Sequence, residues 1–204
     1  MAVELKPRKV ESRLFCMSKF LGDPDMPADM PYPMLDYSIE GKSYQYPLTF
    51  VAQIDCSDLA SYINPGLLPD EGMLYFFAAI DPYLGFDAPS CGIGPWPKGT
   101  TIVKYTRLIN PEVFESYESL DEEGEPQTLA PWAIDFNQCD DDLDAIRMLS
   151  TSSTNPEDEQ IELLRLTSSK ELGLDLGDAK ELIFTISKKD LGFCNWKKHS
   201  ALMK

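Results

Sequence analysis

Short apolar runs alternate along this chain with proline-rich or acidic stretches, and the runs have the length of strands. Residues 48–54, LTFVAQI, are β-branched and aromatic and end at Asp55. Residues 73–77, MLYFF, follow Gly72 and are apolar without a break, as in a strand covered on both faces. Residues 101–105 (TIVKY), 161–166 (IELLRL) and 181–186 (ELIFTI) have the same strand character. Helical spacing is confined to two places. Residues 57–62 predict a short helix with Asp55 or Ser57 as its cap. In residues 140–149, Leu143, Ile146 and Leu149 recur at helical intervals, and the acids before them would suit a first helical turn.

Pro24, Pro27, Pro31, Pro33 and Pro47 crowd the first quarter, and Pro82, Pro89, Pro95 and Pro97 crowd residues 81–99. Each fixes φ and removes a backbone donor, so these stretches predict ordered loops and edge segments. Tyr32, Tyr37, Tyr44 and Tyr46 lie in the first of them and are expected to pack down on the sheet as a lid. Residues 150–159 are polar with an Asn-Pro turn signal and predict a loop. Residues 45–80 and 160–191 each read as strand, polar connection, acidic turn and apolar strand. The expected fold is one α+β domain over residues 1–204. It has a mainly antiparallel β core, two similar β-rich halves and short peripheral helices. The expected core is Phe50, Val51, Ile54, Leu74, Phe76, Val103, Leu163, Leu166, Leu182 and Phe184.

Charge narrows the partners. The chain has 204 residues, with Lys+Arg 18 against Asp+Glu 34 and a formal charge of −16. Binding to nucleic acid by counterion release needs clustered cations, and adsorption to anionic lipid needs the same. Neither a duplex nor a membrane surface is an expected partner. The first residues carry charges and no apolar leader, so no signal peptide is expected. Cys16, Cys56, Cys91, Cys139 and Cys194 are odd in number and widely spaced. They predict free thiols in a reducing cytosol, with no disulfide framework and no zinc site.

The candidate chemistry is thin. Asp140, Asp141, Asp142 and Asp144 resemble the start of a calcium loop. Ala145 and Thr151 then stand where such a loop needs Gly and Glu. Asp121, Glu122, Glu123 and Glu125 read as a solvated hairpin tip. These eight acids are the candidate partner-binding residues. Asp175, Gly177 and Asp178 form a turn in which Gly177 supplies positive φ and an Asp side chain accepts nearby amide protons, and they are a second candidate ligand position. His199, the one histidine, sits among cations in residues 196–199 and is expected to be exposed near the C-terminus. Residues 92–96, GIGPW, lack the Lys of a phosphate loop and are expected to place Trp96 against the core. No catalytic residue, metal ligand or cofactor is assigned.

Several blocks of the chain resemble the YwqG-like family. Residues 18–27, SKFLGDPDMP, are similar to its opening stretch of aromatic, paired glycines and Pro-x-Leu-Pro. Residues 47–55, PLTFVAQID, and 68–77, LPDEGMLYFF, are similar to two of its strand segments. Residues 172–178, LGLDLGD, resemble its Gly-x-x-Trp-Gly-Asp turn. Leu21 stands in place of the first paired glycine and Leu176 in place of the Trp, and residues 111–160 match poorly. The resemblance implies a bacterial, cytosolic α+β protein whose role is not established, and it brings no catalytic residues.

The expected function is binding by an acidic, non-enzymatic protein whose charge steers a basic partner. An immunity-type inhibitor of a basic toxin is the concrete version. The alternatives are a carboxylate-dependent hydrolase, which would need two carboxyls with separated pKa values in a deep pocket, and a small-ligand sensor.

Overall fold

All five predicted strands form, because each supplies the β-branched and aromatic side chains that fit a pleated, buried surface. They are β6 (Thr49–Asp55), β7 (Met73–Ala78), β9 (Thr101–Thr106), β14 (Gln160–Thr167) and β15 (Glu181–Ser187). The computed structural model describes residues 2–39, 41–118, 129–141, 144–151 and 160–204. Around the five it adds β1 (Ala2–Arg8), β2 (Lys19–Phe20), β3 (Asp25–Pro27), β4 (Met34–Ile39), β5 (Lys42–Pro47), β8 (Gly94–Pro95) and β10 (Phe114–Ser116). In the second part of the chain it adds β11 (Trp132–Cys139), β12 (Arg147–Met148), β13 (Ser150–Thr151) and β16 (Ser200–Met203).

One twelve-stranded sheet runs β8-β16-β15-β14-β12-β1-β11-β2-β6-β7-β9, with β13 paired to β14. Every pairing between its named strands is antiparallel. At its centre β1 and β11 pair from Ala2↔Cys139 to Arg8↔Ala133, and β1 also pairs β12 while β11 pairs β2. The β6–β7 ladder shifts register between Phe50 and Ala52, and the β14–β15 ladder between Glu162 and Leu164. Such bulges sharpen the local twist. The sheet curls into a half-barrel. Phe76 and Phe184, on strands with six others between them, meet edge to face at 5.6 Å across the interior. Tyr105 of β9 reaches Trp196 at 5.8 Å, so a short 3-10 turn (Trp196–Lys198) closes against the far edge.

The concave side holds the main core, with Leu74, Phe76, Val103, Leu163, Leu166, Leu182 and Phe184 among its members. A second, smaller core lies on the outer face of β6 and β7, from Met26, Leu48, Phe50, Met73, Tyr75 and Phe77. Strand β7 is therefore covered on both faces, as its unbroken apolar run predicts. All ten predicted core residues are buried, with Phe50 in the second cluster. Tyr32 packs onto Phe77 with ring centroids 5.3 Å apart, as the lid reading expects. The β4–β5 hairpin instead forms its own two-stranded sheet, and Tyr44 and Tyr46 are exposed on it.

Two helix predictions change. Residues 57–62 yield only α1 (Cys56–Leu59), capped by the Asp55 carboxylate, which accepts the Ser57 amide at 2.9 Å. Among the described residues of 140–149 no helix forms: β12 pairs with β1 and β14, and Leu149 has φ 63°. Ile146, Met148 and Leu149 are buried, but through pairing and a tight turn that joins the sheet. The cross-strand partners overrode the local periodicity. Leu21 has φ 53° and the next residue, Gly22, φ 74°. A branched side chain in the left-handed region costs roughly 1–2 kcal/mol. Burial of Leu21 in the main core offsets the strain.

Candidate functional site

The ionisable side chains that the fold brings together lie mainly on the outer face of the sheet. Lys19 of β2 sits opposite Gln53 of β6 and reaches Asp25 of β3, Nζ to Oδ2 at 2.6 Å, with both side chains buried. Asp25 Oδ2 also accepts from Gln53 Nε2 at 3.0 Å and from the Cys16 amide at 2.9 Å, and Oδ1 accepts from Ser116 Oγ at 2.6 Å. The Asp25 amide donates to Gln53 Oε1 at 2.8 Å, and Tyr75 donates to the Asp25 carbonyl at 2.8 Å. With four donors on its carboxylate, Asp25 ties β2, β3, β6 and β10 together. Burial, helped by the Asp25 charge, pushes the neighbouring Cys16 thiol up to about 11.

A second buried cluster lies on the same outer face, on β12, β14 and β15. Glu162 accepts from Arg165 at two atoms, Nε at 2.9 Å and Nη2 at 2.5 Å, and from Ser150 Oγ at 2.5 Å. Arg147 Nη2 stands 4.0 Å away. Arg165 also donates to Glu181, which Lys204 approaches at 3.6 Å. Burial pushes the Glu162 carboxyl up, but the Arg165 and Ser150 hydrogen bonds and the two guanidinium charges outweigh it and hold the group below its ordinary range. Sequence reasoning missed both clusters, because Lys19, Arg147, Glu162 and Arg165 carry no motif. The one available signal was charge inside the apolar run 161–166.

Two further groups stand singly, Asp81 buried and His199 half-buried. Asp81 accepts from Tyr46 and Thr49 hydroxyls, and burial raises its carboxyl despite the Tyr46 bond. His199 is not the exposed residue that its position predicts. Its ring stacks on Phe184, Nδ1 lies 2.8 Å from the Trp196 carbonyl, and Nε2 lies 3.1 Å from Thr101 Oγ1. Burial lowers its pKa against those backbone contacts. It joins β9 to the C-terminal turn.

The predicted binding residues are placed unevenly. Asp121, Glu122, Glu123, Glu125 and Asp142 lie outside the described residues. Asp140 and Asp144 are exposed, and Asp141 is half-buried, 3.5 Å from Thr151 Oγ1. They flank the turn into β12 instead of opening a helix. Asp175, Gly177 and Asp178 form the predicted turn: Gly177 has φ 62°, and its amide donates to Asp175 Oδ1 at 2.9 Å. Trp96 is buried, as its loop predicts. A cleft of about 320 Å³, open on one side, runs along β1 beside residues 167–171 and is lined by Glu4, Lys6, Ser168, Ser169 and Lys170. Among the described residues no three His, Cys, Asp or Glu side chains gather as a metal would require.

Residues 18–150 match the family described as a domain of unknown function, DUF1963. The chain is a DUF1963 protein. The family's segment runs from β2 through the turn before β13, so it takes in the Lys19–Asp25 cluster and ends before Glu162 and Arg165. It also spans residues 111–150, most of the stretch in which the resemblance to the YwqG-like pattern was poor. None of the curated proteins matches this DUF1963 protein.

Proposed function

We propose that this chain is a YwqG-like protein of bacterial, cytosolic origin that acts by binding, and that its acidic surface takes a basic protein partner, such as a toxin it masks. The supporting observation is where charge sits. Among the described residues the fully buried charges balance, Lys19, Arg147 and Arg165 against Asp25, Asp81 and Glu162. The excess of −16 is therefore not consumed by the interior. A field of that sign speeds encounter with a cationic surface and weakens with salt. Five free cysteines favour a reducing compartment. To test this, the immobilised chain is exposed to bacterial lysate, retained proteins are identified, and the tightest is titrated at low and high salt. A basic protein whose Kd rises with salt is expected. Retention of no basic protein, or a salt-independent Kd, would falsify the reading.

The fold reading extends to an internal duplication in which β1, β2, β6, β7 and β9 answer to β11, β12, β14, β15 and β16. Register details support it. Lys19 faces Gln53 as Arg147 faces Arg165, the two ladders bulge beside Val51 and Leu163, and Leu21 and Leu149 both take positive φ two residues beyond those cations. Each unit lends its first strand to the other, since β1 lies against β12 and β11 against β2. Fragments 1–118 and 129–204 should each lack strand circular dichroism alone and regain it on mixing. Independent folding of either would break this exchange.

A further inference from the structure

The segment after β15 reverses the charge of the molecule. Lys188, Lys189, Lys197 and Lys198 stand against one acid, Asp190, a local charge of +3 in a chain of −16. Ser187 caps helix α2 (Lys188–Gly192), its Oγ accepting the Asp190 amide at 3.0 Å and donating to Asp190 Oδ2 at 2.7 Å. Asn195 Nδ2 donates to Asp190 Oδ1 at 3.0 Å, and the Asn195 amide to the Asp190 carbonyl at 2.9 Å. Cys194 takes φ 51°, and its amide donates to the Leu191 carbonyl at 2.9 Å. The turn is thus fixed at both ends, with Leu191 and Trp196 buried as its feet. Phe193 stands between them at 75% exposure, the most exposed large apolar side chain among the described residues.

Phe193 belongs to neither core. The charges of Lys189 and Lys198 both act on Asp190, which places them around the same turn. Among the described residues no ion pair engages Lys189, Lys197 or Lys198. An exposed aromatic held in the same turn as Lys189 and Lys198 leaves apolar area in water beside like charges, and a partner that supplies carboxylates relieves both.

We propose that this turn, centred on Phe193, is a docking surface for an acidic peptide segment of another protein. The inference is separate from the basic partner proposed above, since it uses the opposite charge on a different surface. Charge complementarity selects the occupant, and its size follows from the rest of the chain. An anionic membrane or a nucleic-acid duplex is extended and would bring the acidic surface within about one Debye length, ~8 Å at physiological salt. A short segment is smaller than either and covers less of that acidic surface. The fixed turn lowers the ordering cost of docking.

The probe is a fluorescein-labelled peptide of Glu and Asp around a central Leu-Leu, with a Lys-for-acid counterpart and phosphatidylserine vesicles as comparisons. Saturable binding of the acidic peptide at low salt is expected. It should weaken about tenfold or more in Phe193→Ser and in the double variant Lys189→Glu with Lys198→Glu. All of these side chains are exposed, so unchanged thermal unfolding shows that the variants are folded, and binding of the basic partner should be unaffected. Absence of saturable binding, equal binding of the Lys peptide, preference for vesicles, or indifference to both variants overturns the proposal.

Discussion

The outer face of β6 and β7 and the outer face of β14 and β15 are both buried, yet one is filled mainly by hydrocarbon and the other by charge. On the first, Phe50, Met73, Tyr75 and Phe77 pack under Tyr32 and Met26, and Lys19–Asp25 is one ion pair at the margin. On the second, Glu162, Arg165, Arg147 and Glu181 form a linked network. Apolar packing is non-directional and tolerates repacking. A buried ion network is stable only while each member keeps its partners, because an uncompensated buried charge costs several kcal/mol. Two stretches of one sheet's outer face can thus be closed by opposite chemistry when hydrogen bonds satisfy the charges.

The largest effect should come from removing one carboxylate. Asp25→Ala and Glu162→Ala should each destabilise by about 3–5 kcal/mol in urea unfolding. The two sites should then separate on rescue. Lys19→Met with Asp25→Leu should recover part of the loss, since no buried charge is left unpaired although Gln53, Ser116 and the Cys16 amide lose an acceptor. Glu162→Leu with Arg165→Met should recover less, because Arg147 and Glu181 stay charged beside the new apolar groups. Equal rescue would erase the distinction between pair and network.

Next in size is a test of the packing itself. Phe77→Ala should cost about 3 kcal/mol, since its ring is fully buried against Tyr32 and Phe50. Thr185, on the other outer face, is half-buried and bonded to Ser200 at 3.0 Å. Thr185→Ala should cost about 1 kcal/mol or less. A larger loss at Thr185 would mean that the second face is packed like the first.

The smallest effect is in pH dependence. Glu162 is held below its ordinary value of 4.5, so its contribution is complete above that value and fades as pH falls through the folded pKa. Asp81 is raised above its ordinary value of 3.8, so it costs stability as pH rises from there through the folded pKa. Relative to the parent chain, Glu162→Gln should therefore lose Tm, and Asp81→Asn should gain it, between about pH 3 and about pH 7. A gain for both variants would show that burial governs both sites, and a loss for both that hydrogen bonding does.

Much of the second candidate turn was legible, because Asp175 and Gly177 carry turn chemistry that acts within three residues. The central strands were not. Strand β1 contains Pro7 and three charged residues, and only its place between β11 and β12 makes Val3 and Leu5 core residues. The acids at 140–144 had helical company in sequence, but Arg147 and Met148 found strand partners far along the chain.

By itself the sequence determined the antiparallel β character, the doubly covered strand at residues 73–78 and the excess of negative charge. Each of these depends on side chains near in sequence or on their sum. Tertiary structure alone decided which charges would be buried together, as in Lys19 with Asp25 and Glu162 with Arg147. It also decided that His199 would face inward and Phe193 outward. Those outcomes turn on cross-strand register and on how far the sheet curls, and neither is encoded in a local pattern.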